Sequence, residues 1–300
     1  MNIIITGSTG FLGKIIFKAL SQFNIIFELP KIDGNKAIRL DKDVPIFTNS
    51  VELVVHCAGK AHAIPKNEIE KKNFFNVNVI GTQNLLKGLE LTGFPKQFVF
   101  ISSVAVYGID KGDNINENYP LLAEDPYGLS KIQAEQLIYD WCFKNGVLCT
   151  ILRLPLLVGI NPPGNLGNMI NAIKNGYYFN IGGGRAKKSM VLAKDVAEII
   201  LKVSKIGGIY NLTDGYHPSF KELSSHISIE LSRKKPLNIP FWFATIIAKL
   251  GDLVGENAPF NTRKLTKMNT NLTFNDSKAR IKFGWHPIPV LNSTIIQNKN

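Results

Sequence analysis

From its second residue the chain reads Asn2-Ile3-Ile4-Ile5-Thr6-Gly7-Ser8-Thr9-Gly10-Phe11-Leu12-Gly13. Three consecutive isoleucines read as a strand buried on both faces, because a strand with one wet face alternates apolar and polar residues. Glycines 7, 10 and 13 follow at once, and a helix-length apolar segment from Leu12 to Phe23 follows them. A GxxGxxG loop between strand and helix turns tightly, admits a diphosphate to the backbone and lets the helix pack closely on the sheet. The helix N-terminus then faces negative charge. Gly7, Gly10 and Gly13 are therefore the candidate diphosphate cradle, with Thr9, Phe11 and Leu12 between them as further cofactor contacts.

The alternation continues outward from this loop. Leu53-Val54-Val55 precedes a helical segment Asn73 to Leu91, Phe98 to Ile101 precedes Tyr127 to Lys144, and Thr150-Ile151-Leu152 leads into Arg153. Short, wholly apolar strands alternating with helices predict an α/β fold with a doubly wound parallel Rossmann sheet. The texture changes at Asn161-Pro162-Pro163-Gly164-Asn165 and again at Gly182-Gly183-Gly184. A dinucleotide-binding domain is expected over 1–158 plus about 189–214. A smaller, mostly C-terminal α/β substrate-binding domain is expected over 159–188 plus about 215–300. There is no internal repeat and no low-complexity tract.

Composition narrows the classes. Of 300 residues, 45% are hydrophobic and 19% charged, enough for a sizeable core and unlike a disordered or collagen-like chain. Lys plus Arg number 35 against 23 Asp plus Glu, a net +12 that raises nucleic acid, anionic lipid or a phosphorylated substrate as partners. No helix-turn-helix, zinc spacing or aromatic-basic strand motif accompanies it, so nucleic acid is not expected. Cys57, Cys142 and Cys149 lack CxxC spacing and read as reduced core residues of a cytoplasmic protein. The N-terminus has no charged region ahead of its short apolar run, so neither signal peptide nor anchor is expected. Ile239 to Leu250 contains Pro240 and Lys249 and is too short to span a bilayer. It reads as an amphipathic helix on a core, with an interfacial position as the alternative. His56, His62, His217, His226 and His286 are scattered without ligand spacing, so no metal is expected, and His56 reads as a strand-end packing residue.

Two further motifs carry chemistry. Tyr127-Gly128-Leu129-Ser130-Lys131 opens a helix, and its i, i+4 spacing puts a phenol and an ammonium on one face. A phenol is a weak base near neutrality, and a neighbouring cation favours its phenolate. Ser102-Ser103-Val104-Ala105-Val106-Tyr107-Gly108 follows the strand Phe98 to Ile101, at the carboxyl edge where open parallel sheets bind ligands.

With these residues the sequence resembles the extended short-chain dehydrogenase/reductase family, the NAD-dependent nucleotide-sugar epimerases, dehydratases and reductases. The likeness extends to His56-Cys57-Ala58-Gly59, Asn78-Val79-Ile80-Gly81-Thr82, Lys188-Ser189-Met190-Val191 with Asp195-Val196-Ala197, and Asp276-Ser277-Lys278-Ala279 with Phe283-Gly284-Trp285. The resemblance implies that Ser103, Tyr127 and Lys131 are catalytic, Ser103 rather than Ser102 standing four residues before Tyr107. It implies that Ala58, Gly59 and Asn78 join the glycine loop, Tyr127 and Lys131 around NAD or NADP. It places Asn165 and Leu166 beside the nucleotide base and Lys188 beside the substrate phosphates, with Arg263, Lys264 and Lys267 as weaker candidates for a second phosphate contact, a solvated basic helix face being their other reading. Homodimers through a helix bundle are common in the family.

Three departures shape the expected activity. Ser103-Val104-Ala105 stands where sugar dehydratases read Thr-Asp-Glu, so dehydration is not expected. Leu156 stands where many epimerases carry a substrate-binding Asn. The second strand, near Ile25 to Pro30, ends without the acid that binds an NAD ribose, unless Glu28 serves; NAD is nevertheless preferred over NADP. The leading expectation is epimerisation at C4 of a nucleotide-linked hexose by transient hydride transfer. The alternative is an NAD(P)H-dependent 4-keto-sugar reductase of surface-polysaccharide synthesis. A catalytically idle dinucleotide-binding sensor or scaffold is the reading from another class. The basic excess is then assigned in part to Lys131 and Lys188, with Arg153 or Arg263, facing a phenolate and phosphates.

Overall fold

In the computed structural model, which describes residues 1–21, 25–27, 31–32, 36–61, 65–254 and 260–296, the isoleucine run lies in the middle of a sheet. Strands β1 (Asn2–Thr6), β2 (Ile25–Phe27), β3 (Leu53–His56), β4 (Gln97–Ser103), β5 (Leu148–Leu154) and β6 (Gly208–Asn211) lie in the order β6-β5-β4-β3-β1-β2. Every neighbouring pair is parallel. Ile3 and Ile5 pack with Leu12 and Ile16 of α1 (Phe11–Leu20), and Ile4 packs on the opposite face with Leu85 and Leu89. Coverage on both faces is why the strands carry no polar alternation. The strand order reverses between β1 and β3, which opens a crevice at their carboxyl ends.

The expected helix from Asn73 starts earlier and is built in three parts. They are α2 (Glu68–Phe75), a π-helical turn over Asn76–Ile80, and α3 (Gly81–Thr92). Its first turn, Glu68-Ile69-Glu70-Lys71, has no apolar period and escaped the pattern. The Asn67 side chain, which accepts from the Glu70 N–H at 2.9 Å, sets the start. Helix α4 (Pro126–Lys144) covers β4 and β5.

Beyond the sheet, Leu156–Val158 pairs with Met190–Leu192, and α5 (Gly164–Lys174) packs with α7 (Phe220–Glu230) on a separate apolar cluster. Between them α6 (Ala193–Val203) returns to the sheet and packs against α1. The predicted apolar helix forms as α8 (Phe241–Val254), with Ile239 closing a short strand and Pro240 standing before the first turn. It is not amphipathic in the expected sense, because its buried residues include the small Ala244 and Ala248, while Trp242, Ile246 and Leu250 are exposed. Helix α9 (Thr262–Asn269) packs on it, and α10 (Ser277–Phe283) returns to the sheet at Tyr210. Glu28 and His62 lie outside the described residues.

Candidate active site

Ser103 ends β4 and caps the short 3-10 turn Val104–Tyr107, its Oγ accepting the Ala105 N–H at 3.2 Å. Asp125 and Pro126 start α4. The Asp125 carboxylate accepts the N–H groups of Tyr127 and Gly128, both at 3.1 Å, and proline's fixed φ suits the first helical position. These two caps bring the Ser103 hydroxyl beside the Tyr127 phenol, both on the wall of one cavity. Burial raises the Tyr127 phenol above its ordinary value, the nearby Ser103 hydroxyl opposing and the Asp125 charge adding to the rise. One turn on, the buried Lys131 ammonium donates to the Ile101 carbonyl at 2.7 Å and stands 4.3 Å over the Phe100 ring. Burial pushes it down to about 8, against the charge of Glu135 and then of Cys57. Ser102 points to the other side of β4 and donates to Glu135 at 2.5 Å, which leaves Ser103 as the serine facing Tyr127.

A cavity of about 670 Å³ joins Ser103, Tyr127 and Lys131 to the glycine loop. Gly7, at φ +71°, lies against the strand-end backbone, where a Cβ would come within 2.7 Å of the Ala58 nitrogen; at Gly13 a Cβ would come within 2.0 Å of the Gly7 oxygen. Protein packing therefore explains both. At Gly10 a Cβ would meet only the Gly7 oxygen, at 3.2 Å, so its missing side chain leaves room on the cavity side. No side chain caps α1, whose first N–H groups lie just beyond Gly10. An open cradle before an uncapped helix fits the diphosphate of a dinucleotide. Gly10→Ala should thus weaken NAD(P) binding at least about tenfold, roughly 1.4 kcal/mol, at an almost unchanged Tm. Gly13→Ala should fail to give folded protein. Titration of bound NAD(P) alongside thermal melts checks both, and a Gly10→Ala protein with wild-type affinity would remove the cradle from the site.

Phe11, Leu12 and Gly59 also line this cavity, whereas Thr9 is exposed and Ala58 stands behind Gly7. Asn78 lies in the π-helical turn, buried behind the wall. Its Oδ1 accepts the Lys60 N–H at 2.7 Å, and its Nδ2 donates to the Lys60 carbonyl at 3.1 Å and to Ser130 Oγ at 2.8 Å. It ties the loop after β3 to the first turn of α4. His56 belongs to the same scaffold. Thr82 donates its hydroxyl proton to the Asn78 carbonyl at 2.7 Å, so His56 Nε2 must donate to Thr82 Oγ1 at 2.9 Å. Nδ1 is then the acceptor from Thr6 Oγ1 at 2.6 Å, and that oxygen accepts the Ala58 N–H at 3.1 Å. Burial first, and the Lys131 charge second, push His56 down to about 3, so the ring is neutral.

Arg263 and Lys267, on consecutive turns of α9, line the cavity beside Asp110, which pairs with Lys267 at 2.8 Å. Lys188 lies behind them, bridged to Leu272; burial pushes its ammonium down to about 8, Asp110 raising and Lys267 lowering it. Asn165 is exposed on the first turn of α5 and Leu166 is buried in the α5–α7 cluster; of that segment Pro163 reaches the cavity. Leu156 lines the wall together with Pro155 and Leu157. Arg153 does not face a phosphate. It is buried against Glu135, with which its Nη2 pairs at 2.7 Å. Asp110 and Asp125 escaped the sequence reading. The Asp-Pro pair before Tyr127 was the available signal for Asp125, while Asp110 meets Lys267 from a remote segment.

A family model described as the NAD dependent epimerase/dehydratase family matches residues 3–212. The N-acetyl-alpha-D-glucosaminyl-diphospho-ditrans,octacis-undecaprenol 4-epimerase of Escherichia coli O157:H7 is 28% identical over 256 residues, covering 80% of this chain and 76% of its own. The GDP-6-deoxy-D-mannose reductase of Pseudomonas aeruginosa is 25% identical over 238 residues, covering 74% and 77%. The crystal structure of UDP-glucose 4-epimerase from Thermotoga maritima, with UDP-glucose, matches with a TM-score of 0.72 at 19% identity over 96% of this chain and 94% of that one. At that identity the likeness is one of fold.

Proposed function

The chain belongs to the NAD dependent epimerase/dehydratase family, and from that membership we propose that it is an NAD(P)-dependent enzyme inverting C4 of a nucleotide-linked hexose. The observation that carries this reading is the pairing of Ser103 and Tyr127 on the wall of a cavity that also includes the glycine cradle and the Arg263–Lys267 pair. Tyr127 is the group that takes the proton of the C4 hydroxyl and later returns it. Burial and the Asp125 charge hold the phenol neutral, so its phenolate needs positive charge nearby, and Lys131 at i+4 is the cation on the same helix face. Ser103 holds the sugar oxygen against the phenol. NAD(P), held at Gly7, Gly10, Gly13 and the start of α1, supplies a hydride acceptor and donor when bound.

Arg263 and Lys267 face the substrate diphosphate, with the Lys188 charge behind them; the two lysines lack the bidentate fork an arginine offers. Residues 159–188 and about 215–300 form the unit that closes over the sugar, with the exposed Asn165 on the first turn of α5 toward the nucleotide. Two copies pair through α3 and α4, whose Leu91, Tyr139 and Phe143 are exposed. A 4-keto-sugar reductase is the second reading. The apolar wall at Pro155, Leu156 and Leu157 favours it, as does the likeness to the P. aeruginosa reductase.

The two separate in one assay. Incubated with nucleotide-linked hexoses, the purified protein should interconvert C4 epimers without net consumption of NAD(P)H. Stoichiometric consumption with a 4-keto sugar, and no interconversion, would establish the reductase instead.

A further inference from the structure

Helix α8 reverses the usual orientation of a surface helix. Its small residues Ala244, Ala248 and Gly251, spaced i, i+4, i+7, face the protein, where Ala244 and Ala248 pack with Leu265 of α9 and Gly251 has no room for a Cβ beside the Phe260 carbonyl. The opposite stripe, Trp242, Ile246, Leu250 and Leu253, is between 50% and 84% exposed, and Phe243 and Ile247 widen it. No described residue covers this face. Water contact across so many large side chains is costly, and a contiguous exposed apolar surface marks an interaction site.

Charge identifies what covers it. From Leu231 to the end of α8 the chain carries Arg233, Lys234, Lys235 and Lys249 against a single acid, Asp252, whose carboxylate accepts from Thr262. Arg233, Lys234 and Lys235 are all exposed, and only Pro236, the short strand Leu237–Ile239 and Pro240 separate them from α8. Aromatic and aliphatic side chains on one face, with lysine and arginine close by, suit the headgroup region of an anionic bilayer. A second copy of the chain suits the face less well, because a symmetric contact would bring two such basic runs together with only Asp252 of each copy, already bonded to Thr262, to offset them. Nor does the helix cross a membrane. Its 14 residues span about 21 Å, short of a hydrocarbon core of about 30 Å, and no helix among the described residues is long and apolar enough.

We propose that α8, with the basic run before it, docks this protein on the surface of an anionic phospholipid bilayer. Because α9 packs on α8 and carries Arg263 and Lys267, docking places the cationic wall of the cavity one helix away from the lipid. The docking does not depend on which sugar reaction the cavity performs.

Trp242 gives a direct probe, since Trp141 and Trp285 are buried. Adding vesicles of phosphatidylcholine with about 30% phosphatidylglycerol should shift the tryptophan emission to the blue and carry the protein into the pellet on sedimentation. Partition onto pure phosphatidylcholine should be at least about tenfold weaker, and raising the salt should weaken the anionic case. Ile246→Ser with Leu250→Ser, and separately Arg233→Glu with Lys234→Glu and Lys235→Glu, should each abolish sedimentation at an unchanged Tm and unchanged NAD(P) affinity. The proposal fails if anionic vesicles do not bind the wild-type protein, or if binding survives both sets of substitutions. It fails equally if the serine variant splits a wild-type dimer that has no affinity for vesicles, which would make the face a contact between copies.

Discussion

Tyr127→Phe should lower kcat about a thousandfold, close to 4 kcal/mol of transition-state stabilisation, while leaving KM, fold and NAD(P) affinity in place. Phenylalanine keeps the ring that packs against Phe74 at a centroid distance of 6.1 Å and removes only the hydroxyl. Ser103 keeps its bond from the Ala105 N–H, so no polar group is stranded. A loss shared equally by kcat and kcat/KM is the signature of an interaction made only in the transition state. The pH profile gives a second readout. Lys131 titrates at about 8, so its charge supports the phenolate below that pH and is lost as pH rises through it. The profile belongs to the coupled pair and should flatten in the Phe variant. Turnover unchanged by the substitution would take Tyr127 out of the chemistry and leave the proposed proton transfer without support.

What the sequence made legible, and what it hid, follows from how local each signal is. The sheet could be read because strands covered on both faces are apolar at every position, as Ile3, Ile4 and Ile5 are. The glycine loop and the Tyr127–Lys131 pair could be read because a turn and an i, i+4 face are set within a few residues. The scaffold behind them could not. Asn78 looks like a ligand contact in the sequence, yet its amide is spent on Lys60 and Ser130, partners that only the packing of β3 and α4 brings near. Arg153 looks like a spare cation until the register of β4 and β5 sets it beside Ser102, under Glu135. Helix α8 was legible as a helix but not in its direction, because beside its one polar stripe, Thr245, Lys249 and Asp252, both the small and the large apolar stripes could face the protein.

The second large effect concerns that hidden pair. Glu135→Ala should destabilise the protein by about 3–5 kcal/mol, lowering Tm by roughly 6–12 °C, because it leaves a buried guanidinium unpaired. Glu135 and Arg153 are 4% and 3% exposed, and the carboxylate accepts from Arg153 Nη2 at 2.7 Å, from Arg153 Nε at 3.1 Å and from Ser102. The Arg153 guanidinium also donates to Tyr107 at 3.2 Å and to the Glu117 carbonyl at 3.3 Å, which cannot replace an opposite charge. Replacing both partners with apolar residues of similar size, Glu135→Leu with Arg153→Met, should recover most of the loss. Desolvating two charges costs nearly what their attraction returns, and Tyr107 keeps its bond to Asn211 at 2.8 Å. Urea unfolding of the single and double variants measures the difference, and a double variant no more stable than the single would show that the pair contributes more than mutual compensation. Glu135 also raises the Lys131 pKa from one turn away, so its loss should move the alkaline limb of the rate profile to lower pH. A shift in that limb in the double variant, whose stability has returned, would separate the charge at Lys131 from the integrity of the fold.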